Sequence, residues 1–380
     1  MKNHHKILTF IFILFFGQLF SQSNTNIVIG EKHTIHSDVL DQDREIFIHL
    51  PDGYDNCVSD YPVIYVLDGE NTFNTISGLT DLNAWLNIMP KMIVVGIPNI
   101  DRQHDFMPIN DTIPTSGNAD KFVSFFNQEL FPYIKENYRI ASFKMIFGFS
   151  YTGMFTLHCF KNYPETFNAY IAGSPSLYHN IDKLCENEIS IKSDTDKRFL
   201  HISIGELESQ EYIDNINRFT SYLDKQSHSK ILWESITVDA ATHETNLPFS
   251  ISYGLNYIFS DWVKIKQVIY QGIDSVESHF EVLSNQYGYT VKTPEKIYQL
   301  LGVYYLENNI VDKSIEIFEK YTQTYESSWT AFDYLGQAFV AKNDIKKAEV
   351  SFLKSLELKP DYKIAKDNLE KIKDELDKTN

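Results

Sequence analysis

The run Ile146-Phe147-Gly148-Phe149-Ser150-Tyr151-Thr152-Gly153 sets a serine where a buried apolar strand turns sharply into a helix. A turn this tight needs small residues beside the serine, and it lifts the hydroxyl clear of the strand end. A serine hydroxyl is a poor nucleophile near neutral pH. It needs an imidazole to take its proton and a carboxylate to orient that imidazole. The chemistry in question is therefore attack on an acyl carbon, and the histidines and acids further along the chain are its candidate partners.

The elements that must position these groups alternate. From Glu45 to about Lys264, short β-branched or aromatic runs alternate with longer helical patterns, the rhythm of βα units around a largely parallel sheet. Strands are predicted at Glu45–Leu50, Pro62–Leu67, Met92–Ile97, Lys144–Phe147, Asn168–Ala172, Phe199–Ile204 and Ile231–Val238. Several are apolar throughout, as strands buried on both faces must be. Helices are predicted at Ala119–Asn137, Tyr151–Asn162, Tyr212–Lys225 and Phe249–Lys264. The polar loop Pro98–Gly117 is long enough to shape a binding site.

The strand, turn and helix around Ser150 resemble the nucleophile elbow of α/β-hydrolases, which usually reads Gly-x-Ser-x-Gly. Thr152 stands at the second glycine position, with Gly153 one residue later. Further segments carry a wider likeness: Tyr61-Pro62-Val63-Ile64-Tyr65-Val66-Leu67-Asp68-Gly69, then Val94-Val95-Gly96-Ile97-Pro98-Asn99 with Asp101-Arg102 and Asp105. Phe131-Pro132-Tyr133-Ile134 follows, and Pro164-Glu165-Thr166-Phe167 leads into Ser174-Pro175-Ser176-Leu177. From roughly Ser37 to Lys264 the chain resembles the putative-esterase family, which includes siderophore esterases, S-formylglutathione hydrolase and bacterial feruloyl esterases. It is most similar to the siderophore-esterase branch. The resemblance implies an α/β-hydrolase fold with a mostly parallel sheet.

In that fold the partners follow the nucleophile in the order acid, then histidine. His243 lies in Val238-Asp239-Ala240-Ala241-Thr242-His243-Glu244, after the last core strand and before the final helix. His158 falls within the helix after the elbow and His201 inside a strand, where packed histidines are expected. The strand ending Ile204-Gly205-Glu206-Leu207-Glu208 offers two acids. Glu208 stands three residues after the glycine, where the family usually places its acid, and Glu206 is the alternative. Donors for the oxyanion are expected from the backbone N–H of Tyr151 and from Gly69 or Glu70. Arg102, Asp105, Tyr178 and His179 are expected to line the substrate pocket, with His104 near it.

After Lys264 the strand signals stop. A shift of 34 residues superposes Tyr298 on Phe332, Leu301 on Leu335, Gly302 on Gly336, Tyr305 on Phe339, Ser314 on Ala348 and Phe318 on Phe352. That is the tetratricopeptide period and its pattern of small and large residues. The expected layout is a signal peptide over 1–22, an esterase domain over 23–265, a connecting helix over 266–290, and two tetratricopeptide-like repeats plus a capping helix (Tyr362–Leu376) over 291–380. Two repeats fall short of the three such arrays usually need, so this small all-α domain is expected to lean on the Val268–Gln286 helix or on the catalytic domain.

Lys2 and Lys6, an apolar run from Ile7 to Phe20, then Ser21-Gln22-Ser23 make the layout of a secretory signal peptide. The run is shorter than the ~20 apolar residues a bilayer span needs, so no transmembrane segment is expected in the mature chain. The expected location is periplasmic or extracellular. With 34 Lys and Arg against 51 Asp and Glu, the net charge of −17 argues against nucleic-acid partners. Cys57, Cys159 and Cys185 fit no zinc or redox spacing, and HExxH, Walker and GxGxxG motifs are absent. No cofactor and no metal are expected. The reading is a serine hydrolase that cleaves a carboxylic ester, siderophore-type or acyl, through an acyl-enzyme. Two alternatives stand beside it: an acyltransferase, and a catalytically silent exported module whose repeats hold a protein or peptide partner or self-associate.

Overall fold

The computed structural model describes residues 27–56, 59–109, 116–192, 197–226 and 230–379. The expected signal peptide, Cys57 and part of the Pro98–Gly117 loop lie outside the described residues. Eight strands form one sheet: β1 (Glu31–Ser37), β2 (Gln42–His49), β3 (Tyr61–Leu67), β4 (Ile93–Ile97), β5 (Ile140–Phe149), β6 (Ala169–Gly173), β7 (Arg198–Gly205) and β8 (Ile231–Val238). Their order across the sheet is β1-β2-β4-β3-β5-β6-β7-β8. β1 with β2 and β2 with β4 pair antiparallel, and every pair from β4 to β8 is parallel.

The central strands β3, β4 and β6 are apolar throughout because helices cover both faces, while β7 adds buried Arg198, His201 and Ser203. β3, β4, β6 and β7 are buried at every residue. Alternate side chains of β3 enter different layers: Val63, Tyr65 and Leu67 pack on one side, Ile64 and Val66 on the other. The first half of the chain supplies α1 (Gly69–Trp85), α2 (Arg102–Phe106), α3 (Ala119–Phe125), α4 (Phe131–Asn137), α5 (Tyr151–Asn162) and α6 (Ile181–Leu184). A π-turn over Phe126–Leu130 makes α3 and α4 one continuous helical stretch, as the single predicted helix Ala119–Asn137 implied. Next come α7 (Gln210–Leu223) and α8 (Asn246–Ile258), which starts and ends earlier than the predicted Phe249–Lys264.

The tail is helical, with α9 (Ile265–Val268), α10 (Ile273–Tyr287), α11 (Glu295–Glu307), α12 (Val311–Thr324), α13 (Trp329–Ala341), α14 (Ile345–Leu358) and α15 (Lys363–Thr379). It is not a separate appendage. One apolar cluster runs from Ile64, Val66 and Phe143 of the sheet through α8 and α10 to Phe318, Phe352 and Ile372. Tyr287 is a joint: its ring lies 5.3 Å from Phe143 and 5.5 Å from Phe259, and its hydroxyl donates to Ile258 O at 3.0 Å.

Because the strands from β3 to β8 run parallel, their C-terminal ends share one edge. Asp68, Ser150, Ser174, Glu206 and the loop after Val238 all leave the sheet there, which is where such sheets carry ligands.

Candidate active site

Ser150 follows β5 with φ 60° and ψ −115°, a conformation that a non-glycine residue adopts only when its surroundings hold it there. Three main-chain hydrogen bonds do so. Ser150 N–H donates to Gly173 O at 2.9 Å, and its carbonyl accepts from Met154 N at 2.9 Å and Ser176 N at 3.1 Å. A Cβ at Gly148 would sit 2.1 Å from Thr152 O, so only glycine allows the helix to start this close to the strand.

Thr152, at the second glycine position, is fully buried and hydrogen-bonded on both sides. Its hydroxyl accepts from Phe149 N–H at 2.8 Å and donates to Asp68 Oδ2 at 2.7 Å. The close packing expected of a glycine has moved to Gly153, where a Cβ would stand 2.8 Å from Gly173 O.

Asp68 gathers the neighbouring loops. Arg102 binds both of its oxygens, Nε to Oδ1 at 2.7 Å and Nη2 to Oδ2 at 2.9 Å, and Nη2 also meets Phe149 O at 2.9 Å. Asn99 donates to Asp68 Oδ1 at 2.6 Å and to Glu70 Oε1 at 2.8 Å. The loops after β3 and β4 are thereby fastened to the turn that carries Ser150. Among the described residues, no acceptor meets the N–H groups of Gly69, Glu70 or Tyr151, the three expected oxyanion donors.

Across the edge, His243 Nδ1 lies 2.8 Å from Glu208 Oε2. The Glu208 side chain is 2% exposed, and its other oxygen accepts from Ser174 Oγ and from Gly205 N–H at 2.9 Å. Asn246 supports Ser174 in turn at 2.8 Å. Burial pushes the Glu208 carboxyl up, but the bonds from His243, Ser174 and Gly205 outweigh it and hold the group below its ordinary value. Glu206 points elsewhere, accepting from Ala240 N–H at 2.8 Å. The His243 ring is flanked by Phe149 at 5.0 Å and Tyr212 at 5.4 Å.

Ser150 Oγ is 3.1 Å from Ser176 Oγ, which is 3.0 Å from Tyr212 Oη. No hydrogen bond among the described residues joins Ser150 to His243; such contacts tighten when substrate arrives.

The expected pocket residues separate. Arg102 lies against the Tyr151 ring at 5.6 Å, and Tyr151 and Tyr178 join through their hydroxyls at 2.9 Å, with the His179 ring 4.1 Å from that of Tyr178 and tilted 57° to it. Asp105 does not join them. Its carboxylate is 2% exposed and meets Arg44 Nη1 at 2.8 Å, inside the core. His158 is engaged by Asp120 at 2.8 Å and His201 by Glu234 at 3.0 Å, both away from the serine. His104 Nε2 lies 2.7 Å from Asn118. A cavity of about 1050 Å³, lined by Tyr61, Ile140, Tyr325 and Trp329, opens at the N-terminal ends of β3 and β5, the opposite edge from Ser150.

A model of the family described as "Putative esterase" matches residues 37–248, more than half of the chain. The chain belongs to this family. This esterase is thus a carboxylic ester hydrolase. It is 28% identical over 226 residues to the ferri-bacillibactin esterase BesA of Bacillus subtilis, a match covering 52% of this chain and 78% of that protein. An IroE-like serine hydrolase from Shewanella oneidensis has the same fold, with TM-score 0.67 and 23% identity over 77% of this chain and 99% of its own. A protein from Capnocytophaga ochracea, at TM-score 0.60 and 16% identity, covers 90% of this chain and 99% of its own.

Proposed function

We propose that this esterase works through an acyl-enzyme on Ser150. His243 takes the serine proton as the hydroxyl attacks the ester carbonyl, then returns it to the departing alcohol. Water attacks the acyl-enzyme by the same route in reverse. Glu208 holds the imidazole in the tautomer that leaves Nε2 free to act as base. The N–H groups of Tyr151 and of Gly69 or Glu70 receive the oxyanion. The observation that carries this reading is the 2.8 Å bond between His243 and a buried, ionised Glu208, beside a serine held at φ 60°.

The proposed substrate is a siderophore-type ester. BesA is named for such an activity, and Arg102 with the hydroxyls of Tyr151, Tyr178 and Tyr212 offers polar aromatic contacts beside the serine. We further assign residues 1–22 to an export signal and 291–380 to tetratricopeptide-like repeats. The second assignment is supported by matched packing 34 residues apart, Gly302 against Phe318 and Gly336 against Phe352. The test is turnover of short acyl esters and siderophore lactones: activity is expected in the unaltered protein and lost in Ser150→Ala. Equal turnover by the variant would rule the reading out.

A further inference from the structure

Ser176 is 2% exposed, and its hydroxyl has two partners, Ser150 Oγ at 3.1 Å and Tyr212 Oη at 3.0 Å. Its backbone is fixed as well, because Ser176 N–H donates to the carbonyl of Ser150 at 3.1 Å. Tyr212 is packed between the His243 ring at 5.4 Å and the Tyr178 ring at 6.0 Å. Three hydroxyls therefore stand in a row that ends on the reacting oxygen.

Each hydroxyl has one proton to give. On the proposed reading, on which this inference rests, Ser150 gives its proton to His243 Nε2. Its oxygen can then only accept from Ser176. Ser176, having spent its own proton on Ser150, must accept from Tyr212. The chemistry fixes a single direction, from Tyr212 to Ser176 to Ser150 to His243.

We infer that Ser176 is a further catalytic residue, a hydrogen-bond donor to Ser150 Oγ that Tyr212 strengthens from behind. As the Oγ–H bond breaks toward His243 and the Oγ–C bond forms, negative charge passes through Oγ. The same charge returns in deacylation, when the C–Oγ bond breaks and His243 gives the proton back. A donor held in place meets this charge at no cost of reorganisation. Tyr212 deepens the effect, because a hydroxyl that accepts a hydrogen bond is a better donor.

The test is the rate at which a fluorophosphonate phosphonylates Ser150 in the full-length protein, with melting temperature as the check on folding. In Ser176→Ala the limiting rate is expected to fall about 10- to 100-fold, as for loss of a hydrogen bond to a charged group, with the melting temperature nearly unchanged. Ser176→Thr keeps a hydroxyl and is expected to retain most of the rate. Tyr212→Phe is expected to lower it in the same direction by a smaller factor, on the order of 2 to 5. An unchanged or faster rate in Ser176→Ala would overturn the inference, as would equal losses in Ser176→Ala and Ser176→Thr accompanied by a lower melting temperature. Absence of any adduct on Ser150 in the unaltered protein would instead overturn the underlying serine mechanism, and the role of Ser176 with it.

Discussion

Thr152 Oγ1 donates to Asp68 Oδ2 at 2.7 Å, tying the turn that carries Ser150 to the loop that leaves β3. The usual glycine at this position would offer nothing to the Phe149 N–H and would leave Asp68 Oδ2 to Arg102 alone. Here a side chain takes up both. Asp68 itself sits at φ 54°, held by its contacts to Arg102 and Asn99, so two residues with positive φ are braced against each other through one hydroxyl.

Thr152→Val keeps the shape and removes the hydroxyl. It is expected to destabilise the fold by about 1–3 kcal/mol, the cost of leaving the buried Phe149 N–H unpaired and of removing one of the two donors to Asp68 Oδ2, and to lower kcat. Thr152→Ser is expected to stay close to the unaltered protein in both. Chemical denaturation and steady-state kinetics on the three proteins check this.

Most of this arrangement was legible in the sequence only in outline. The strands from β3 to β8 announce themselves by β-branched, aromatic and other apolar runs, unbroken in β3, β4 and β6, which are buried on both faces, and interrupted by Lys144 in β5, His201 in β7 and Glu234 in β8. β1 does not, since Glu31–Ser37 lies at the sheet edge and keeps only Ile35 and Ser37 buried. α1 was invisible for a different reason: Gly69–Trp85 is rich in Asn, Thr and Gly, poor helix formers that tertiary packing overrides. At the site, Ser150, His243 and the two acids could be named from turn chemistry and chain order. Ser174, Ser176, Tyr212 and Asn246 could not be given roles, because a serine or tyrosine in a loop carries no local signal of what it will face. Asp105 misled because its neighbour Arg102 lies at the site, while one helical turn is enough to aim Asp105 into the core against Arg44.

Glu208 and Glu206, two residues apart, should behave very differently. Glu208→Gln removes the charge that orients His243 and is expected to lower kcat by several orders of magnitude, up to about 10⁴-fold for a triad acid. Glu206→Gln, which loses only an exposed contact to Ala240, is expected to stay within about twofold. Ester turnover by the two purified variants, compared at one pH, decides between the acids.

The acid side of the stability profile should carry the mark of Glu208. Its folded-state pKa lies below its ordinary value of 4.5, so the stability it contributes is fully present above that value and is lost as pH falls through the folded value. The melting temperature of Glu208→Gln should therefore lie furthest below that of the unaltered protein near pH 6 and draw closer to it toward about pH 3. A gap that stays constant or widens on acidification would show that Glu208 is not held ionised in the fold.

The central claim is that Ser150 is an activated nucleophile. Its most direct test is treatment of the full-length protein with a fluorophosphonate, followed by peptide mass spectrometry to locate the adduct. An activated Ser150 gives one adduct, absent in Ser150→Ala and much slower to form in His243→Ala. A folded protein that takes no label at Ser150, or takes it equally fast without His243, would show that Ser150 is not a nucleophile activated by His243.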